Sequence, residues 1–186
     1  MSHTRVASRY VKALLSLAIE QNAVDAVHGN MQLFDKICHT NREFSNMLQS
    51  PIIRHDVKKR VLEAVFQGKV NPLTMAIIRI LTKKNREPLL PAIAQEFHNA
   101  YNEFKGIEKA TVTTTLAVDA QLKGEIETIV KKLSQRKLVE LVEKINPELI
   151  GGFILNVGDR QIDASVKSKL KSLKVKFSEN PYVKEF

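Results

Sequence analysis

Thr111-Val-Thr-Thr-Thr-Leu-Ala-Val118 decides the fold. β-branched side chains dominate this run; they fit a pleated strand and crowd the turns of a helix. Everything before it, from Thr4 to Lys105, carries apolar residues at helical spacing, and Gly106 punctuates the change. A domain boundary near 106 follows. Residues 1–106 are predicted to form a six-helix bundle and residues 107–186 a small α/β domain, so the chain as a whole reads as mainly α.

Working upstream, Arg5 to Asn22 makes a first helix, and Val24, Val27, Met31, Phe34 and Cys38 mark a second at spacings of three and four. A short third, Arg42 to Gln49, stops at Ser50-Pro51 because proline disfavours helical geometry in the residue before it. His55 or Asp56 can open a fourth through Val57, Val61, Leu62, Val65 and Phe66, closed by Gln67-Gly68 as a left-handed terminator. Asn71-Pro72 opens a fifth with a cap residue and a proline at the first helical position. Pro88 begins a sixth, with Leu90, Ile93, Phe97, Ala100, Tyr101 and Phe104.

Downstream, Asp119 can cap a helix whose Leu122, Ile126, Ile129, Val130 and Leu133 form one stripe. Leu138 to Ile145 reads as a strand, and Asn146-Pro147 turns the chain. Phe153 to Val157 reads as another strand, with Gly158-Asp159 suited to a hairpin turn before Gln161-Ile162. Asp163 or Ser165 caps a last helix through Val166, Leu170 and Leu173. No internal repeat or low-complexity segment interrupts this order.

Composition narrows the function. With 186 residues, 44% of them hydrophobic and 26% charged, and only 7 Gly and 6 Pro, the chain can bury a core and is not disordered. The single cysteine, Cys38, cannot form an internal disulfide and fits a reducing compartment. No run of 18 apolar residues exists, and the start from Met1 to Tyr10 shows no apolar h-region or cleavage site, so it reads as mature protein. The net charge of +9 points first to polyanions. Residues 1–106 hold +6 and residues 107–186 hold +3, so the excess is spread rather than gathered into a nucleic-acid stripe. Lys167, Lys169, Lys171, Lys174 and Lys176 surround one helix without forming a single face.

The sequence offers no catalytic constellation. Ile150-Gly-Gly-Phe153 lacks the further glycines and lysine of a phosphate cradle, and a turn or bulge where a side chain would clash explains the two glycines better. His3, His28, His39, His55 and His98 never take metal-ligand spacing, and each reads as a surface or cap residue. No Ser, His and Asp set occupies a nucleophile-elbow setting. Cys38 lies on the apolar stripe of its helix and reads as an inert thiol. The chain is therefore read as non-enzymatic, with no cofactor and no metal.

Two helices are wider than one core contact requires. At about 100° per residue, Val6, Ala7, Tyr10, Val11, Ala13, Leu14, Leu15, Leu17, Ala18 and Ile19 cover an arc of roughly 240°. The fifth helix, with Leu73, Met75, Ala76, Ile77, Ile78, Ile80 and Leu81, is similarly broad. Either both are central in the bundle, or they leave an apolar groove for a partner helix, which small residues such as Ala7 and Ala18 would let approach closely.

At this point the chain resembles a family, the delta subunit of the bacterial F-type ATP synthase, whose mitochondrial relative is the oligomycin sensitivity conferral protein. One block is Val6-Ala-Ser-Arg-Tyr-Val-Lys-Ala-Leu-Leu-Ser-Leu-Ala18, similar to the family's opening helix. The other, more specific, is Asn146-Pro-Glu-Leu-Ile-Gly-Gly-Phe-Ile-Leu-Asn-Val-Gly-Asp159 followed by Ile162-Asp-Ala-Ser-Val166. Its structural signature positions are Pro147, Gly151, Gly152, Phe153, Gly158 and Asp163. Leu48-Gln-Ser-Pro51, the Lys59 region and Arg86 fall in the expected order between the blocks. Asn146 stands where the family commonly has Asp, Val11 replaces a usual alanine, and the last helix is unusually rich in lysine.

The resemblance implies a stator connector, a peripheral-stalk component that lets rotary hydrogen ion transport drive ATP synthesis. Residues 1–106 would take N-terminal segments of the alpha subunits, and residues 107–186 would engage the b subunits. Ala7, Tyr10, Val11, Leu14, Ala18, Ile77, Ile78 and Leu81 would line or support the groove for the alpha segment, Tyr10 serving equally as a core residue with its hydroxyl at the rim. With no presequence read at the start, the bacterial subunit is favoured: a peripheral membrane protein at the cytoplasmic face of the cell inner membrane, held there only through the complex, with no nucleic acid partner. The alternative is a basic all-helical RNA-binding or transcription antitermination factor, whose affinity would fall steeply with salt.

Overall fold

The computed structural model describes residues 3–116, 118–134, 136 and 138–178. Met1, Ser2 and Ala117 of the stretches quoted above lie outside the described residues, as do the side chains of His3, Thr4 and Ala120. The chain is mainly helical with a small mixed sheet, and it divides into two compact units, Met1–Phe104 and Lys105–Phe186.

The first unit contains α1 (His3–Glu20), α2 (Val24–Thr40), α3 (Arg42–Gln49), α4 (His55–Phe66), α5 (Pro72–Lys83) and α6 (Leu90–Lys105). Its helix ends follow from single residues. Asn41 and Asn71 each accept a backbone N–H with the side chain, from Phe44 at 3.0 Å and from Leu73 at 2.9 Å, satisfying donors that a helix start leaves open. Ser50 is extended before Pro51, and Gly68 takes φ +77° beyond α4. Two starts differ from expectation: α1 runs His3–Glu20 and so opens before Arg5 and closes before Asn22, and α6 opens late. Pro88 lies inside a 3₁₀ turn, Glu87–Leu89, and α6 begins only at Leu90.

One apolar core joins these helices. Ala7, Val11, Leu14 and Ala18 of α1 meet Val27, Met31 and Phe34 of α2, Leu62 and Phe66 of α4, Ile78 and Leu81 of α5, and Ile93 and Phe97 of α6. Phe34 packs against Phe66 with ring centroids 5.3 Å apart and against Phe44 edge-on at 6.0 Å.

The second unit contains β1 (Ile107–Thr114), α7 (Ala120–Ser134), β2 (Leu138–Ile145), β3 (Phe153–Val157), β4 (Arg160–Asp163) and α8 (Val166–Ser178). The sheet order is β2-β1-β3-β4. β1 pairs in parallel with β2, from Ile107 opposite Leu138 to Thr114 opposite Ile145, which requires a crossover, and α7 supplies it. β1 and β3 are antiparallel, with Ala110 opposite Val157 and Val112 opposite Leu155. These four residues are buried with Ile126 and Val130 of α7, so one core lies between α7 and one face of the sheet.

Candidate functional site

The structure divides the broad apolar arc of α1 in two. Ala7, Val11, Leu14 and Ala18 repeat at spacings of four, three and four, and all four are buried in the core of their own unit. Ile77, Ile78 and Leu81 of α5, a helix packed against α1, belong to the same core. Tyr10 is half-buried, and its hydroxyl accepts from Arg86 Nη1 at 3.0 Å. These eight side chains are thus brought together as the floor under the α1 and α5 surfaces. Met75 is buried with them, and Val6, Leu15 and Leu73 are half-buried against the same core; Ala13, Leu17 and Ile19 on α1 and Ala76 and Ile80 on α5 stay in solvent. Leu17 is 46% exposed and Ile80 48%, and each has an alanine one turn before it.

In the second unit the signature residues form a clasp. Pro147 starts a 3₁₀ turn whose Asn146 side chain accepts from Glu148 N at 3.1 Å. Ile150 then takes φ +67° and Gly152 φ +76°. A Cβ on Gly152 would collide with the carbonyl oxygen of Ala164 and lie 3.1 Å from Ser165 Cα; one on Gly151 would lie 3.2 Å from Val166 Cγ2. That closeness lets Val166 N donate to Gly151 O at 3.0 Å and Ala164 N to Phe153 O at 2.9 Å. Gly158, at φ +54°, makes the β3–β4 turn, and Phe153 packs on the sheet core.

Asp163 completes the clasp. One carboxylate oxygen accepts from Ser165 N at 2.9 Å and the other from the Ser168 hydroxyl, while Ser165 Oγ accepts from Ser168 N at 3.2 Å. The bond from Ser168, then those from Ser165, hold the Asp163 carboxyl below the usual carboxylate range. The chain is thereby fastened at the first turn of α8. None of the α8 side chains is buried: Val166, Leu170, Leu173 and Phe177 share one face and are exposed, Phe177 by 86%. Sequence spacing predicts the helix; that its stripe lacks a core among the described residues is a structural finding.

Two histidines depart from their reading as surface or cap residues. His28 of α2 and His98 of α6 stack with centroids 5.2 Å apart, with Nε2 of one 2.9 Å from Nδ1 of the other. Tyr101 stacks on His28 at 3.7 Å and donates its hydroxyl to Asp25 at 2.7 Å. Seventy residues separate the two rings in sequence, so no spacing signal marks them. Among the described residues no cluster of three or more His, Cys, Asp or Glu is placed to hold a metal ion. Cys38 is half-buried, and desolvation, then the charge of Asp35, pushes its thiol up to about 11, which keeps it protonated at neutral pH.

An apolar-faced helical unit, a glycine clasp and an uncovered last helix describe a chain built for contact. Residues 6–177 match the family described as ATP synthase delta (OSCP) subunit. The chain belongs to this family. The ATP synthase subunit delta of Cytophaga hutchinsonii is 39% identical over 179 residues, covering 96% of this chain and 97% of that one. That of Amoebophilus asiaticus is 35% identical over 95% and 96%, and that of Lactobacillus johnsonii 32% over 97% and 98%. The fold also matches a chain of the Toxoplasma gondii mitochondrial ATP synthase hexamer, with a TM-score of 0.70 at 22% identity over 94% of this chain and 98% of that one. Members of the delta family are non-catalytic subunits of the synthase. No described helix of this member is long and apolar enough to cross a membrane.

Proposed function

We propose that the chain is the stator connector of a bacterial F-type ATP synthase, bridging the catalytic head and the peripheral stalk at the cytoplasmic face of the inner membrane. The helical unit takes the N-terminal segments of alpha subunits on the exposed apolar residues of α1 and α5, over the floor of Ala7, Val11, Leu14, Ala18, Ile77, Ile78 and Leu81. The second unit takes the ends of the b subunits. A connector of this kind holds the head still while the rotor turns, so it needs durable contacts rather than reactive groups. Buried apolar anchors give slow dissociation.

The observation that carries the reading is α8, an amphipathic helix with an apolar stripe and no core to receive it. A stripe at this spacing fits a partner helix. The test is capture of the purified chain by head and stalk subcomplexes. Leu17→Glu with Ile80→Glu should lose an alpha N-terminal peptide, and Leu170→Glu with Leu173→Glu should lose the b subunits, each pair sparing the other contact. Binding that survives both pairs, or that disappears with salt as RNA binding does, sinks the assignment.

A further inference from the structure

The apolar stripe of α8 is narrow, and its borders are charged. At about 100° per residue, Val166, Leu170, Leu173 and Phe177 fall within roughly 60° of one another, which is a coiled-coil seam rather than the broader face a helix turns to a core. Their spacings of four, three and four are those of a heptad repeat, with Val166 and Leu173 at d and Leu170 and Phe177 at a. The positions that border such a seam, e and g, are Lys167 and Lys174 on one side and Lys169 and Lys176 on the other. All four lysines are exposed. Lys167 also meets Glu148 of its own unit at 3.5 Å.

Bordering charges decide which helix a seam accepts. A second copy of this chain would bring lysine against lysine in either direction, and like charges at these positions repel. An anionic lipid surface would attract the cations, but a helix lying in a membrane sinks a broad apolar face and turns its charge to the opposite side. Here the lysines hug the seam, and Ser168, Ser172 and Val175 hold the outer side. A helix with glutamates at its own e and g positions meets every one of the four lysines with an opposite charge, whichever way it runs.

We propose that α8 is one strand of a heterotypic two-stranded coiled coil, its partner a single acidic helix whose apolar seam is bordered by glutamates. That this helix is the end of a b subunit rests on the reading of α8 as the stalk contact. Each exposed ion pair adds little by itself, so the seam supplies the hold and the four lysines choose the partner.

The experiment uses the full chain and two synthetic three-heptad helices with leucine at a and d, one carrying glutamate and the other lysine at e and g. Titration of the labelled peptides at about 50 mM salt should show saturable binding of the glutamate peptide and none of the lysine peptide. Lys169→Glu with Lys174→Glu and Lys176→Glu should weaken the glutamate peptide by at least about tenfold and admit the lysine peptide, a rescue that an unfolded variant could not give. Salt at about 0.5 M should weaken the native pair severalfold without abolishing it, because the seam remains. The proposal is overturned if both peptides bind the native chain alike, if the native chain dimerises through α8 instead, or if neither peptide binds, whether or not phosphatidylglycerol vesicles retain the chain. Capture of b subunits separates it from the connector assignment. Capture lost in Leu170→Glu with Leu173→Glu but undiminished in the charge-reversed variant keeps that assignment and overturns the proposal; binding of the glutamate peptide with no capture of b subunits overturns the assignment and bears out the acidic helix.

Discussion

α1 and α8 carry the same kind of apolar periodicity and meet opposite fates. In α1 the residues at spacings of four, three and four disappear into a core shared with five other helices; in α8 Val166, Leu170, Leu173 and Phe177 follow the same spacing and remain in solvent. A stripe therefore says how a helix wants to be covered, not by what. The difference lies in the neighbours: α2 and α5 pack on α1 within a core that takes in the other helices of its unit, whereas among the described residues α8 is pinned at its first turn by the Gly151, Gly152 and Asp163 clasp and by Lys167 beside Glu148.

The sharpest way to break this comparison is to charge both stripes. Leu14→Asp places an unpaired charge in the core and should cost about 4 kcal/mol in urea denaturation, enough to unfold the helical unit. Next comes the clasp: Gly152→Ala combines a left-handed φ with a backbone collision and should cost the second unit about 2–3 kcal/mol. Gly151→Ala meets only a side-chain methyl and should cost about 1 kcal/mol or less. Leu170→Glu with Leu173→Glu, by contrast, should change the stability of the free chain by no more than about 0.5 kcal/mol. A large loss there would mean that α8 has a core after all.

The smallest expected effect is acid-dependent. Asp163 has a lower pKa folded than unfolded, so its contribution is fully present above the unfolded value of about 3.9 and is lost as pH falls through the folded one. Stability curves of the chain and of Asp163→Asn should run apart above pH 4 and converge below it. Curves that stay parallel would remove Asp163 from the clasp.

Most helix starts and stops were legible because each rests on one local residue: Ser50-Pro51, Gly68 and Asn71-Pro72 act within a turn of where they stand. So was the presence of strands in the second unit, from the β-branched run, but not that β1 spans Ile107–Thr114 or pairs in parallel with β2, which depends on residues made later. The delay of α6 to Leu90 was not, since Pro88 fits the first position of a 3₁₀ turn as well as of an α-helix. Among the candidate contact residues, the apolar arc of α1 was readable, but its division between floor and surface depends on helices far along the chain. The His28–His98 stack was out of reach for the same reason, being made by packing rather than by spacing.

The position of β1 sets an order of events during synthesis. It is the first strand made, yet it lies between β2 and β3, so both its edges wait for later residues. The helical unit needs nothing beyond Phe104 for its own core and can form as it emerges. Until Val157 has left the ribosome, β1 presents at least one row of unpaired backbone groups, the kind of edge on which chains aggregate. A nascent chain of this protein is therefore most in need of protection in the short interval between making Thr114 and making Val157.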